Sequence, residues 1–386
     1  MANISKVEIL PLVESTARGT DCDGAVETLI VRLTDENGVT GLGECDAPAV
    51  ATAAYLNMPT AHIWSQNIPK LLIGADPLER RALWERMYDA TFWPGRRGLG
   101  IHAISAVDIA LHDLAAKQIG VPVYKLLGGA VRPDITPYAT IFPGMPQGRS
   151  LKQVMTRIHE QFDQALALGF RAVKMEVMFE DAATDAQLVD CIRQGRRWLG
   201  DKVTLMLDFG YRWRHWEDAR WVLERVADCD IYFAEAALHY DNLAGHAKLA
   251  QRSPIRICGA EPAATRFEVR EWIETGKVGV VQPNIGRCGG FTEIMRIADL
   301  AEQHDVLVIP HGWKTGPTAA CQLHFQAAVH NAPFVEYYHQ DLYISPLRKD
   351  LVNFNPPVKA GRMALPTKPG LGIELNPAAL KRFAIR

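Results

Sequence analysis

Val203-Thr-Leu-Met-Leu-Asp208, Ile231-Tyr-Phe-Ala-Glu235 and Ile257-Cys-Gly-Ala-Glu261 decide the fold of this 386-residue chain. Each is a short apolar run that ends abruptly in a carboxylate. That is the pattern of a strand buried on both faces that delivers an acid to one rim of a parallel sheet. The acids lie about 26 residues apart, the length that a strand, a helix and two short loops consume, so all three emerge on the same rim. Three carboxylates converging on one point repel each other unless a hard cation sits among them. The pattern predicts a divalent metal site, with Mg2+ as the ion. The plainer alternative is three unrelated strand-end acids in salt bridges.

Outward from these strands the same texture continues. Further strand ends fall at Lys174 to Glu176, Asn284, His311 and Glu336, with another strand near residues 138–142 and helix-period segments at 153–168 and 292–303. Similar spacing over so many units predicts an α/β chain closed as a (β/α) TIM-type barrel, whose chemistry is built on the C-terminal rim of its strands. Before the barrel, residues 6–45 read as an antiparallel meander with a turn at Asp35-Glu-Asn-Gly38. Residues 48–128 read as helical, including an amphipathic helix over 104–117. The polar stretch 15–24 suits either a lid or a plain surface loop. Residues 365–375 predict a turn and a strand that return to the N-terminal sheet. The expected division is a capping domain over 1–130, a barrel over 131–355 and a returning segment over 356–386.

Composition restricts the partners. A hydrophobic fraction of 48% and a charged fraction of 22% are those of a folded globular chain. A net charge of −2 supplies no attraction to nucleic acid or to an anionic membrane, which leaves small molecules. Seven scattered cysteines without a Cys-x-x-Cys pair argue against a disulfide framework or a structural zinc, and for a reducing compartment. The N-terminal Met-Ala-Asn-Ile-Ser-Lys-Val lacks a signal-peptide layout, and no apolar run approaches the roughly 18 residues of a membrane span. A cytoplasmic location is expected.

Several rim residues are candidates for chemistry. Lys174 and Glu176 share one face of a strand because side chains alternate with period two, and both point into the barrel mouth. A Lys beside a metal can hold a depressed pKa and act as base or stabiliser, while a structural ion pair is the other reading. His311, ending Leu307-Val-Ile-Pro-His311, faces the proposed metal across the mouth as a catalytic group. Asn284 lies one strand earlier, within reach of the imidazole. Glu336 suits a substrate oxygen if protonated, or a Lys if ionised.

At whole-chain scale the sequence resembles the enolase superfamily, in its mandelate racemase-like group of acid-sugar dehydratases. The resemblance is carried by Ala103-Ile-Ser-Ala-Val-Asp-Ile-Ala-Leu-His-Asp-Leu, Pro122-Val-Tyr-Lys-Leu-Leu-Gly-Gly129, Glu235, Glu261, Gln282-Pro-Asn-Ile-Gly-Arg-Cys-Gly-Gly290, Pro310-His-Gly-Trp313, Phe334-Val-Glu336 and Pro369-Gly-Leu-Gly-Ile-Glu-Leu375. It implies an N-terminal α+β capping domain over a modified (β/α) barrel, Mg2+ held by Asp208, Glu235 and Glu261, and abstraction of the proton α to a substrate carboxylate. In that chemistry the ion binds the carboxylate and stabilises the enediolate. It also implies substrate contacts from capping-domain loops around Thr20 and Asp46, and a homo-oligomer.

Two departures from the family pattern narrow the reaction. Lys174-Met-Glu176 stands where relatives carry Lys-x-Lys, and Asn284 where relatives pair the His with Asp. Loss of that carboxylate predicts a weaker base at His311 and a tautomer less surely set. Racemisation needs bases on both faces of the α-carbon, whereas dehydration needs one base and an acid for the β-hydroxyl. The expected reaction is therefore loss of water from a sugar acid, an aldonate or aldarate, to a 2-keto-3-deoxy acid. His311 would serve as acid-base, Lys174 would stand beside the carboxylate and metal, and Glu336 would contact the carboxylate. Glu176 would face the opposite side, and Trp313 and Lys314 the distal hydroxyls. An epimerase, racemase or cycloisomerase, or a catalytically silent metal-binding homologue, are the competing readings.

Overall fold

The meander forms three antiparallel strands, β1 (Ile4–Val13), β2 (Glu27–Asp35) and β3 (Thr40–Cys45). Its second turn is held by Asp35, whose carboxylate accepts from the Asn37 and Val39 amides at 2.9 and 2.8 Å, while Gly38 takes a φ of 83°. An Asp that bonds its own backbone two residues on is a common turn-former. The computed structural model describes residues 2–14, 26–144, 148–179, 182–343 and 345–385. The polar stretch 15–24, and Thr20 with it, lies outside them.

After a two-residue strand β4 (Asp134–Ile135), eight parallel strands follow among the described residues: β5 (Pro137–Ile141), β6 (Ala172–Glu176), β7 (Thr204–Asp208), β8 (Ile231–Glu235), β9 (Ile257–Gly259), β10 (Val280–Val281), β11 (Leu307–Val308) and β12 (Val335–Glu336). They lie side by side in chain order and β12 pairs with β5, so the sheet curls back on itself with its seam between β11 and β12. Helices between the strands are locally specified. Ser150 with Gln153 and Thr184 with Gln187 form capping boxes that satisfy the first amides of Leu151–Ala167 and Asp185–Leu199.

Inside the barrel, Tyr138, Ala172, Met206, Phe233, Cys258, Val280 and Ile309 form an apolar floor. Two residues further along these strands, Thr140, Lys174, Asp208, Glu235, Ala260, Gln282 and His311 continue the same inward-facing rows. The acids thus stand one layer above a dry plug, at the mouth. β9 to β12 are shorter than the apolar runs suggest, so Glu261, Asn284 and His311 sit just beyond the ladder rather than within it.

The capping helix is Leu99–Gln118, and it differs from the amphipathic helix expected. It is buried on nearly every side, with even Asp108 and Asp113 inaccessible. A helix that is apolar all round belongs in a core. It lies so close to β3 that a Cβ at Gly43 would come within 1.9 Å of the Ala106 carbonyl, which is why glycine stands there. Its two acids are docking pins. Asp108 accepts from the Thr292 amide and hydroxyl at 2.9 and 2.6 Å, at the start of the barrel helix Gly290–Gln303. Asp113 accepts from the Leu42 and Leu371 amides at 2.8 and 2.7 Å. Glu44 of β3, also buried, accepts from Thr28, Thr315 and the Thr318 amide and hydroxyl, fastening the cap to the barrel helix Gly316–Ala328.

The C-terminal segment returns by another route than expected. β13 (Met363–Ala364) pairs with β4, and residues 365–375 form no strand. Pro366 and Pro369 lack an amide donor, and Gly370 and Gly372 adopt φ of 69° and 73°. The segment meets the capping domain by single contacts: Gly370 exchanges backbone bonds with Val121 and Val123, and Ala384 bridges to Leu12.

Candidate active site

Lys174 lies at the centre of the mouth. Its ammonium is 2.7 Å from Glu235, 3.1 Å from Glu336 and 3.5 Å from Asp208. Burial alone would depress its pKa, but Glu235 and Glu336 outweigh that and raise it well above the ordinary value. Three carboxylates around a buried amine favour its charged form, the ion pairing that the sequence offers beside a base role. Glu336 accepts from Thr140 and from the Gly312 amide at 2.7 Å. Its burial is outweighed by Lys174 and His311, which hold it at about 2, so it is an ionised partner of the Lys.

Asp208, Glu235 and Glu261 end successive strands, with Asp208 paired in register with Glu235. Burial, with Asp208 and Glu261 as neighbours, opposes ionisation of Glu235, and Lys174 at 2.7 Å is the cation that offsets it. One of its oxygens, Oε1, is buried without a partner. Glu261 accepts from the Tyr211 hydroxyl and faces His311 Nε2 at 3.8 Å. The backbone is strained around all three acids. Non-glycine residues with positive φ occur at Tyr211 (65°), Ala236 (48°) and Ala260 (77°), each within three positions of one acid. Such strain, on the order of 1–3 kcal/mol per residue, persists where the surroundings over-determine the backbone, as at functional sites. Among the described residues no three acid, imidazole or thiol groups already form a close coordination cluster. The unpartnered Glu235 oxygen and the mutual repulsion of the acids nonetheless suit a hard divalent cation.

His311 and Asn284 meet as expected, with the imidazole Nδ1 2.9 Å from the Asn284 amide nitrogen. That nitrogen also donates to Asp46 of the capping domain at 2.6 Å. Asp46 is thereby drawn into a buried knot rather than left on an open loop. Arg287 lies 2.9 Å and Lys314 3.4 Å from its carboxylate. Burial would raise the Asp46 carboxyl, but Arg287 and Lys314 prevail and hold it at about 2. Trp313 packs in an aromatic box, 4.5 Å from Tyr338 and 4.7 Å from Tyr343 between ring centres.

Between cap and mouth lies a cavity of about 480 Å³ lined by Glu27, Asp46, His102, Glu261, Arg287, His311, Trp313 and Lys314, among others. It is large enough for a six-carbon acid and rich in polar groups. Glu176, at the end of β6 and mostly buried, lies beside Asp208 in register. Tyr211, Thr140, Arg287 and His102 escaped the sequence reading. Arg287 lies inside a quoted motif and was open to notice. The other three carry no local signal, since Tyr211 and Thr140 bond to acids remote in the chain and His102 reaches the cavity only from the capping helix.

Comparison with known proteins follows the same division. Residues 157–379 match the family described as enolase C-terminal domain-like. Residues 10–128 match the mandelate racemase / muconate lactonizing enzyme N-terminal domain. The chain is 33% identical to an L-rhamnonate dehydratase of Saccharopolyspora erythraea, over 91% of this chain and 83% of that one. It is 31% identical to a D-galactarolactone cycloisomerase of Agrobacterium fabrum, over 92% and 90%. A solved structure described as a candidate racemase superposes with a TM-score of 0.93 at 42% identity, covering 99% and 98%. A racemase from Streptomyces coelicolor A3(2) with bound magnesium gives 0.84 at 27%, covering 99% and 100%.

Proposed function

The chain belongs to the enolase superfamily, in its mandelate racemase-like group, and on that premise we propose that it dehydrates a sugar acid, an aldonate or aldarate, to a 2-keto-3-deoxy acid. The observation that carries this reading is the commitment of Lys174. Its ammonium is shared among Glu235, Glu336 and Asp208, and the next inward residue of the strand is Glu176, not a second amine. Racemisation needs a pair of opposed bases, for which Glu176 is a poor substitute for Lys, whereas elimination needs one base and one proton-donating partner for the leaving hydroxyl. Kinship with a sugar-acid dehydratase supports the same choice.

Asp208, Glu235 and Glu261 would hold Mg2+, which when bound supplies Lewis acidity for the negative charge that develops on the substrate carboxylate. The chain's own residues do the rest. Lys174 balances the charge of the acids around it and presents a fixed cation beside the substrate carboxylate. Glu176 would take the α-proton from the β6 side, and His311, facing the cavity from the opposite strand, would give a proton to the hydroxyl, which departs as water. Trp313 and Lys314 close the side of the cavity where the distal hydroxyls of a sugar acid would lie, and the floor of apolar side chains keeps water out from below. Six buried free cysteines among the described residues suit an enzyme of the reducing cytoplasm.

The test is incubation of the Mg2+-loaded protein with a library of aldonates and aldarates in deuterated water. Formation of a 2-keto acid is the expected result. Substrate that gains deuterium at the α-carbon with no keto product would make the protein an epimerase or racemase. Opening of a lactone would favour the cycloisomerase reading, which the Agrobacterium relative motivates. Magnesium binding without any turnover would identify a silent homologue.

A further inference from the structure

We propose that Asn284 locks His311 as the tautomer whose proton sits on Nε2, so that the imidazole meets the substrate as a hydrogen-bond donor, and that Asp46 of the capping domain is the positioning residue that holds the lock. The inference rests on the reading of this mouth as a sugar-acid site, but the tautomer itself follows from local geometry.

The orientation of the Asn284 amide is set by two partners other than the histidine. The Gly286 backbone N–H donates to Asn284 Oδ1 at 2.8 Å. A backbone N–H only donates, so the atom opposite it must be the oxygen. On the other side, Asp46 Oδ2 lies 2.6 Å from Asn284 Nδ2. With Arg287 and Lys314 against it, Asp46 is a carboxylate and only accepts. A flipped amide would set N–H against N–H at Gly286 and oxygen against oxygen at Asp46. Both contacts are buried, where an unmatched polar group is most unfavourable.

An amide nitrogen carries two hydrogens. One is used by Asp46, and the other points to His311 Nδ1 at 2.9 Å. Nδ1 must therefore accept, which places the proton of the neutral ring on Nε2. Nε2 is the nitrogen turned towards Glu261 and the cavity. In this state it has no lone pair with which to take an α-proton. An aspartate at 284 would do the opposite, accepting from Nδ1–H and opening Nε2 as a base. The lock also spans the two domains, because Asp46 follows β3 of the cap while Asn284 and His311 follow β10 and β11 of the barrel. Arg287 strengthens that seam by donating to the Asp46 carbonyl at 3.1 Å.

The experiment is long-range 15N–1H NMR of the Mg2+-loaded full chain labelled at histidine nitrogens, with the His311 signals assigned by their loss in His311→Asn. The wild type is expected to show the protonated-nitrogen shift at Nε2 and the lone-pair shift at Nδ1. Asn284→Asp, combined with Asp46→Asn so that an amide donor and not a second carboxylate faces it at 2.6 Å, is expected to interchange the two, and Asp46→Ala to give averaged shifts, because the amide then loses one of its two clamps. A wild-type ring protonated at Nδ1, or averaged as in a free histidine, would overturn the lock. So would an Asp46→Ala spectrum identical to the wild type, as far as the role of Asp46 is concerned. The measurement needs no substrate. A correct tautomer with no keto acid from the library overturns only the dehydratase reading, and keto acid from a protein with Nδ1–H overturns only the lock.

Discussion

Lys174 Nζ lies 2.7 Å from Glu235 Oε2, with both side chains buried beneath the barrel mouth. The pair is the electrostatic centre of the site, because the same ammonium is also shared with Glu336 and Asp208. Breaking a buried ion pair from one side is unfavourable by about 3–5 kcal/mol, since the remaining charge is left uncompensated. Lys174→Met is therefore expected to lower the melting temperature markedly in EDTA and to recover part of the loss on addition of Mg2+. Equal melting of variant and wild type in EDTA would show that the carboxylates do not depend on the ammonium.

The three strand-end acids should separate from their supporting groups by the size of the effect on metal affinity. Glu235→Gln and Glu261→Gln are expected to weaken Mg2+ binding by about a hundredfold or more, measured by titration calorimetry, and to abolish turnover. Tyr211→Phe removes only the hydroxyl that donates to Glu261. It should weaken binding by roughly tenfold. Wild-type affinity in either Gln variant would remove that residue from the metal site.

Asp46 gives the molecule a defined acid sensitivity. Its carboxyl is held at about 2 against an ordinary 3.8. A depressed folded-state pKa contributes stability above the unfolded value, and that stability is lost as the pH falls towards the folded one. About 2 kcal/mol should therefore disappear between pH 4 and pH 2. Urea unfolding of wild type and Asp46→Asn across that window should show a steeper loss for the wild type, and parallel curves would contradict the assignment.

Docking of the two domains depends on buried acids, Glu44 among them. Glu44→Ala would leave the donors of Thr28, Thr315 and Thr318 without their acceptor. A loss of about 3 kcal/mol is expected, seen as a melting temperature lower by several degrees, with Mg2+ affinity little changed. A large fall in Mg2+ affinity at unchanged stability would instead make Glu44 part of the site.

Gly43 tests how closely the capping helix must approach its sheet. A methyl group there meets the Ala106 carbonyl at 1.9 Å, and neither backbone can yield easily. Gly43→Ala should cost about 1–3 kcal/mol, measured by urea unfolding. A neutral substitution would mean that the helix can ride further out.

Much of this protein was determined by sequence alone. Apolar runs ending in Asp208, Glu235 and Glu261 set the strands, their direction and the rim on which the acids emerge, because period-two alternation and the length of a strand-helix unit are local properties of the chain. Alternation likewise placed Lys174 and Glu176 at the mouth, and the end of an apolar run placed His311 there. Tertiary structure decided what those residues are. Lys174 becomes a charged centre because β7, β8 and β12 bring three acids to it from positions far apart in the chain. Asp108 and Asp113 are docking pins because their partners lie on the barrel and on the C-terminal segment. The state of His311 depends on Asp46, which arrives from another domain. Local patterns specify which face a side chain takes. Hydrogen-bond direction and charge state depend on which remote groups share a site with it, and only packing of the two domains brings those groups together.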